Sequence, residues 1–256
     1  MTMSKYTEVA VRAAYASGFL IKRSVGKISN ISYKGRDNIV TDVDKASEKL
    51  IIRIILRAFP DHSILSEESL PVDSGSKYRW VIDPIDGTTN FAHAFPFFCV
   101  SIALEENGRV ILGVVYDPMR DEIFIAEKGR GATINGKKIE VSRTAKLSGS
   151  FLATGFSYGI TRKDRNIKYF RDLLVKTQAI RRAGSAALDL CYVACGRFDG
   201  FWEMNLHPWD VAAASLIVRE AKGVVTRFDG KSYSHYDKNI LATNGYIHNQ
   251  MIKSLL

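Results

Sequence analysis

The run from Trp80 to Phe91, WVIDPIDGTTNF, sets two carboxylates three positions apart where an apolar stretch stops. Asp83 ends a strand-like segment, and Asp86 follows in a turn. Gly87 permits close backbone approach, and Thr88, Thr89 and Asn90 read as the first turn of a helix. A helix start offers unpaired N–H groups that suit a phosphate, yet carboxylates just before it would repel one. A divalent cation between them removes the conflict. Further acids could converge there: Glu67 and Glu68 at the end of HSILSEES, Asp210 just after HPW, and Asp44 in the first turn of a long helix. Oxygen ligands with no Cys or His beside them favour a hard ion, magnesium or manganese. Glu67, Asp83, Asp86 and Asp210 together carry four negative charges, which two divalent ions would balance. Alone, each piece has a plainer meaning: Asp-Gly is commonly a turn, and Asp at a helix start is commonly a cap.

The elements that would position these groups follow from periodicity. Tyr6, Val9, Ala10, Ala13, Ser17, Leu20 and Ile21 share one face of a first helix, and Arg12 interrupts any signal-like apolar run. TDVDKASEKLIIRIILRAF reads as a second helix with Val43, Ala46, Leu50, Ile54 and Ala58 inward, stopped at Pro60-Asp61. HSILSEES and RWVID read as strands. From Phe97 to Gly136 the pattern is antiparallel, with turns at Asn107-Gly108, PMRD and Asn135-Gly136. After about residue 146 helices and strands alternate. GSAALDLCYVACG is a helix with Ser185 as N-cap and Gly196 past its end, and HPWDVAAASLIVREAKG is one with Pro208 in its first turn.

Composition narrows the classes. At 256 residues, 46% hydrophobic and 25% charged, the chain can bury a sizeable core, and no apolar run is long enough to cross a bilayer. Cys99, Cys191 and Cys195 are too few and too odd in number for a disulfide framework, which points to a reducing compartment. The net charge of +9 is compatible with anionic partners, but Lys34 and Arg36, Lys137 and Lys138, Arg162 to Arg171, and Arg181 and Arg182 read as spread over a solvated surface.

KGRDNIVTDVDK (Lys34 to Lys45), SEES (Ser66 to Ser69), WVIDPIDGTTNF, GSAALDLCYVACGRFDGFWE (Gly184 to Glu203) and PWDVAAA (Pro208 to Ala214) stand in the order found in the inositol monophosphatase family. The likeness runs from the first helix to ILATNG. VVYDPMRDE, LATGF and GSAALDL most resemble the bacterial extragenic-suppressor branch. The resemblance implies alternating αβαβα layers, the layered α+β and α/β sugar-phosphatase fold shared with fructose-1,6-bisphosphatase. It implies one domain over 1–256, α+β to about residue 145 and α/β from about 146, commonly paired as a homodimer. It also implies a cytoplasmic phosphatase, dependent on two or three magnesium ions, inhibited by lithium, and acting on inositol 1-phosphate or a related polyol or sugar phosphate.

Site roles carry over by the same resemblance. Glu67, Asp83 and the Ile85 carbonyl would hold one ion, and Asp83, Asp86 and Asp210 a second; Glu67 would help with a weaker third. Glu68 would stand behind these ligands. The N–H groups of Gly87 and Thr88 would receive phosphate, and Asp86, Ser185, Ala186 and Glu203 would face the alcohol. Thr88 and Asp44 would orient the attacking water and take its proton, so that Asp44, Thr88, Glu67 and Glu68 serve the chemistry. Lys222 departs from the family's usual small residue, at a position expected to end a helix away from the site. Other readings are a transcription or ribosome-assembly protein touching RNA polymerase or RNA, and a same-fold phosphatase for fructose 1,6-bisphosphate, a 3′,5′-bisphosphate nucleotide or histidinol phosphate.

Overall fold

The computed structural model describes residues 3–27, 31–33, 39–157, 160–161 and 164–256. Lys34, Arg36, Arg162 and the KGRDN part of the first motif lie outside them. Helices α1 (Lys5–Ser24) and α2 (Asp42–Ala58) form an outer layer. Ser4 caps α1 by accepting from the Thr7 N–H at 3.2 Å, and a reciprocal Thr41–Asp44 capping box starts α2. A short antiparallel pair, β1 (Ile31–Tyr33) and β2 (Ile39–Thr41), leads into α2 and was not legible as strands.

Beneath these helices lies a seven-stranded sheet in chain order: β3 (Ser63–Ser66), β4 (Tyr78–Asp86), β5 (Cys99–Glu106), β6 (Arg109–Asp117), β7 (Glu122–Glu127), β8 (Ala132–Ile134) and β9 (Lys137–Ile139). Only β3–β4 is parallel. Asn107-Gly108 and Asn135-Gly136 both have positive φ, as two-residue hairpin turns demand. Between β4 and β5 comes the single-turn α3 (Thr88–Ala92). The second sheet has the order β11 (Ala179–Arg181), β10 (Phe151–Thr154), β12 (Gly200–Met204), β14 (Asn239–Thr243), β13 (Val224–Thr226). Helices α5 (Ala186–Ala194) and α6 (Pro208–Glu220) fill the space between the sheets, and α4 (Arg165–Leu174) and α7 (His248–Leu255) cover the far face. The architecture is therefore α, β, α, β, α, with an apolar core at each of three levels: Ile51, Ile55 and Trp80; Leu188, Phe201 and Val211; Leu152, Trp202 and Leu241.

Three local expectations change. The inward face of α2 is Val43, Asp44, Ser47, Glu48, Ile51 and Ile55, whereas Ala46 is exposed and Leu50, Ile54 and Ala58 are half-buried. Polar groups sit where helical periodicity looks for apolar ones, because this end of α2 abuts the carboxylate cluster. Strand β3 stops at Ser66, before the two glutamates, and β4 continues through a bulge to Asp86. The positive charge is also concentrated. The exposed charged residues of α1 and α2 are Lys5, Arg12, Lys22, Arg23, Lys45, Lys49, Arg53 and Arg57, against Glu8 and Asp42. With buried Asp44 and Glu48 included, eight cations and four acids give this layer four of the chain's nine net charges, and its exposed face carries a surplus of six.

Candidate active site

The register shift in β4 between Asp83 and Asp86 decides what the strand presents. A regular strand sends residues three apart to opposite faces, whereas a bulge re-aims one of them. Asp83 is 2% exposed, and its Oδ1 accepts from the Ile85 N–H at 3.0 Å, which closes a tight loop around Pro84. Ser47 on α2 donates to the Pro84 carbonyl at 3.1 Å and pins that loop. Gly87 follows with φ 97°, and a Cβ there would lie 3.0 Å from the Phe97 carbonyl oxygen, so both conformation and space call for glycine. Because α3 is only five residues long, any pull on an anion would come from the N–H groups at its start more than from a long helix dipole.

The Thr88 hydroxyl lies 2.9 Å from both the Asp44 carboxylate and the Ile85 carbonyl. Asp44 is fully buried, and its other oxygen accepts from the Thr41 N–H at 2.8 Å and from the Thr41 hydroxyl. Burial raises the proton affinity of Asp44, and the hydrogen bonds from Thr41 and Thr88 offset part of that rise.

Glu67 and Glu68 stand half-buried just past β3. They are placed by Glu48 of α2, which accepts from the Ser66 hydroxyl and from the Glu68 N–H at 2.8 Å. Asp210 occupies the first turn of α6, where its carboxylate accepts from the His207 N–H at 2.7 Å. The start of α5 wraps Asp86: the Ser185 hydroxyl and the Ala187 N–H each donate to its Oδ2 at 2.7 Å. Ser185 is thus engaged with Asp86, and Ala186 beside it is buried. Glu203, 6% exposed on β12, lies within electrostatic reach of Asp86 and Asp210.

The sheets and helices therefore bring Glu67, Asp83, Asp86 and Asp210 within mutual influence. Burial, then Glu67, Asp86 and Asp210, drive Asp83 well above the usual carboxylate range. Burial and Asp86 do the same to Asp210. Asp86 is pushed up to about 6 by burial, moderated by Ser185, Ala187 and Ala186. Among the described residues, no three Asp, Glu, His or Cys side chains converge into a ready cage; like charges held in a dry site push apart. The donor set nevertheless fits a hard divalent ion. It offers carboxylates plus the Ile85 carbonyl, and its repulsion is the kind that bound cations relieve.

Several functional supports escaped the sequence reading. Glu48 and Ser47 look like the solvent side of α2. Asn90 bridges two loops by donating to the Phe97 carbonyl at 2.7 Å and the Ala183 carbonyl at 2.8 Å. Asn90 belongs to the quoted motif, but its partner lies 93 residues away.

Residues 2–256 match the inositol monophosphatase family. An inositol-1-monophosphatase from Synechocystis sp. is 45% identical over 99% of this chain and 89% of its own length. The Nus factor SuhB of Pseudomonas aeruginosa is 45% identical over 94% of this chain and 92% of its own. The crystal structure of the extragenic suppressor protein SuhB from Bartonella henselae superposes with a TM-score of 0.94 at 41% identity, covering 98% of both chains.

Proposed function

The chain belongs to the inositol monophosphatase family, and on that premise we propose that it is a magnesium-dependent phosphomonoesterase acting on inositol 1-phosphate or a related small polyol or sugar phosphate. The observation that carries this reading is the bulged β4 and its continuation, which hold Asp83 and Asp86 beside a Thr88–Asp44 hydrogen bond. Glu67, Asp83, the Ile85 carbonyl, Asp86 and Asp210 would hold the ions, which when bound supply acidity to water and positive charge to the phosphate and leaving oxygen.

The chain's own groups account for the remaining steps. The N–H groups of Gly87 and Thr88 take the phosphate oxygens. A water molecule donates to the Thr88 hydroxyl, whose own proton has the Asp44 carboxylate 2.9 Å away to go to. Asp44 suits the role of acceptor because burial has raised its proton affinity. Ser185 and Ala187 fix Asp86, and Glu203 meets the hydroxyls of the alcohol. Phosphate release should be assayed over a panel of polyol, sugar and nucleotide monoesters and bisphosphates, with magnesium and with EDTA. Magnesium-dependent, EDTA-sensitive release, fastest from small polyol monoesters, is expected. Absence of such release from every ester would refute the reading.

The charge distribution favours a second role beside the first. Relatives of this chain carry the name Nus factor, and we infer contact between the basic α1–α2 layer and RNA or the transcription machinery. Tyr15 and Phe19 stand exposed among its cations and could stack on bases. Binding of single-stranded RNA that fades steeply with salt and is lost on reversing Arg12, Arg53 and Arg57 is expected; salt-insensitive or absent binding would remove this role. A cytoplasmic homodimer completes the proposal, with exposed Ile167, Leu174 and Val175 at α4 offering apolar surface for pairing. Among the described residues, no helix is long and apolar enough to cross a membrane.

A further inference from the structure

Among the described residues, one buried side-chain polar atom lacks any hydrogen-bond partner: Oδ1 of Asp189. Asp189 sits one turn into α5, past Ser185 and Ala186, and is 1% exposed. Its backbone N–H serves the helix by donating to the Ser185 carbonyl at 3.0 Å. Its carboxyl feels Glu203 across the α5–β12 packing, and Asp86 beyond; the exposed Arg182 on the rim is the one cation acting against them. Burial and these two acids raise the proton affinity of Asp189 well above that of an ordinary carboxylate. Glu203 is backed on its other side by Gly155, where a Cβ would lie 2.1 Å from Glu203 Oε2. The Glu203 carboxyl is thus confined between a backbone surface and α5.

A buried oxygen without a partner costs stability, and an apolar residue of similar shape would remove the cost. Packing therefore gives no reason for Asp189, and its use lies in what its carboxyl can meet. Of the two acids within electrostatic reach, Asp86 already accepts from the Ser185 hydroxyl and the Ala187 N–H, which leaves Glu203. We propose that Asp189 is a positioning residue for polyol recognition: its carboxyl pairs with that of Glu203 through one shared proton when a substrate is seated and turns the free oxygen of Glu203 towards the substrate's hydroxyl groups. The inference rests on the assignment of Glu203 to the alcohol side.

The test uses Asp189→Asn and Asp189→Leu, each alone and with Glu203→Gln. Kinetics are measured with glycerol 2-phosphate, which has free hydroxyls, and p-nitrophenyl phosphate, which has no alcohol hydroxyl. Thermal unfolding is followed in parallel. Leucine cannot donate, so Asp189→Leu should raise the KM for glycerol 2-phosphate about tenfold, the scale of one lost hydrogen bond. It should move the KM for p-nitrophenyl phosphate far less, and its Tm should equal or exceed the parent's. Asparagine keeps an N–H donor, so Asp189→Asn should keep the parent's KM for both esters. In the Glu203→Gln background the leucine penalty should vanish. The proposal is overturned if Asn harms as much as Leu, if Leu harms both esters alike, if its penalty persists beside Glu203→Gln, or if Leu lowers Tm and leaves KM alone. A parent protein that hydrolyses neither ester nor any other monoester would instead overturn the phosphatase reading, and this role with it.

Discussion

Glu203→Gln separates what the fold tolerates from what the site uses. In the metal-free protein, burial and then Asp86 push Glu203 up to about 8, from an ordinary 4.5. The folded state therefore prefers the neutral acid, while the unfolded chain ionises above pH 4.5. Such a group favours folding at low pH and withdraws stability as pH climbs towards 8, by about 1.4 kcal/mol per unit. At pH 7 the withdrawal is about 3 kcal/mol. Glutamine is neutral throughout and escapes it. Glu203→Gln should thus match the parent near pH 4.5 and gain on it steadily to about pH 8. In this size range a gain of about 3 kcal/mol corresponds to a Tm rise of roughly 6–12 °C. The assay is thermal unfolding in EDTA between pH 4.5 and 8.5. A constant difference across that range, or one that shrinks as pH rises, refutes the electrostatic reasoning. The same variant should lose affinity for polyol phosphates by about 1–3 kcal/mol, read in KM. Its magnesium midpoint should barely move; a large shift there would move Glu203 into the metal-binding set.

Asp83→Asn should abolish most magnesium-dependent turnover while the Tm of the metal-free protein near pH 7 holds or rises, since asparagine escapes the penalty that burial and neighbouring acids place on an ionisable Asp83; a folded variant with near-parent turnover would take Asp83 out of the centre. Lithium in the millimolar range should inhibit an established magnesium-dependent activity, because a monovalent ion held by Asp83, Asp86 and Asp210 supplies too little charge to the leaving oxygen; full activity in its presence would require a different second ion position. Lys222 ends α6 in the left-handed region, φ 70°, where its exposed ammonium pairs with Glu140. Lys222→Gly should relieve about 1 kcal/mol of backbone strain and forfeit an exposed ion pair worth less, for a Tm rise of roughly 1–3 °C. A fall in Tm would show that the pair outweighs the strain.

What the sequence by itself determined is local. Asp83, Asp86, Gly87 and Thr88 lie within one short window, and alternation, Pro, Gly and a helix start are readable there. The Asn-Gly hairpins, the Ser185 cap and the Pro208 start of α6 are legible for the same reason: each is a contest settled among a few neighbouring residues. Family resemblance added the roles, residue by residue.

The tertiary structure decided whatever depends on which surfaces meet. It rotated the buried face of α2, so that Asp44, Ser47 and Glu48 became inward supports of the site where periodicity had pointed to Ala46, Leu50 and Ile54. Packing of α5 against β5 and β12 put the Ser185 hydroxyl on Asp86, 99 residues away, and left Asp189 Oδ1 buried without a partner. It set eight cations on the exposed face of one helical layer, α1 and α2, that are far apart along the chain. The physical reason is common to all three. Burial, proton affinity and surface potential are sums over neighbours in space, and the neighbours that dominate them are supplied by sheet pairing and helix packing from distant parts of the sequence.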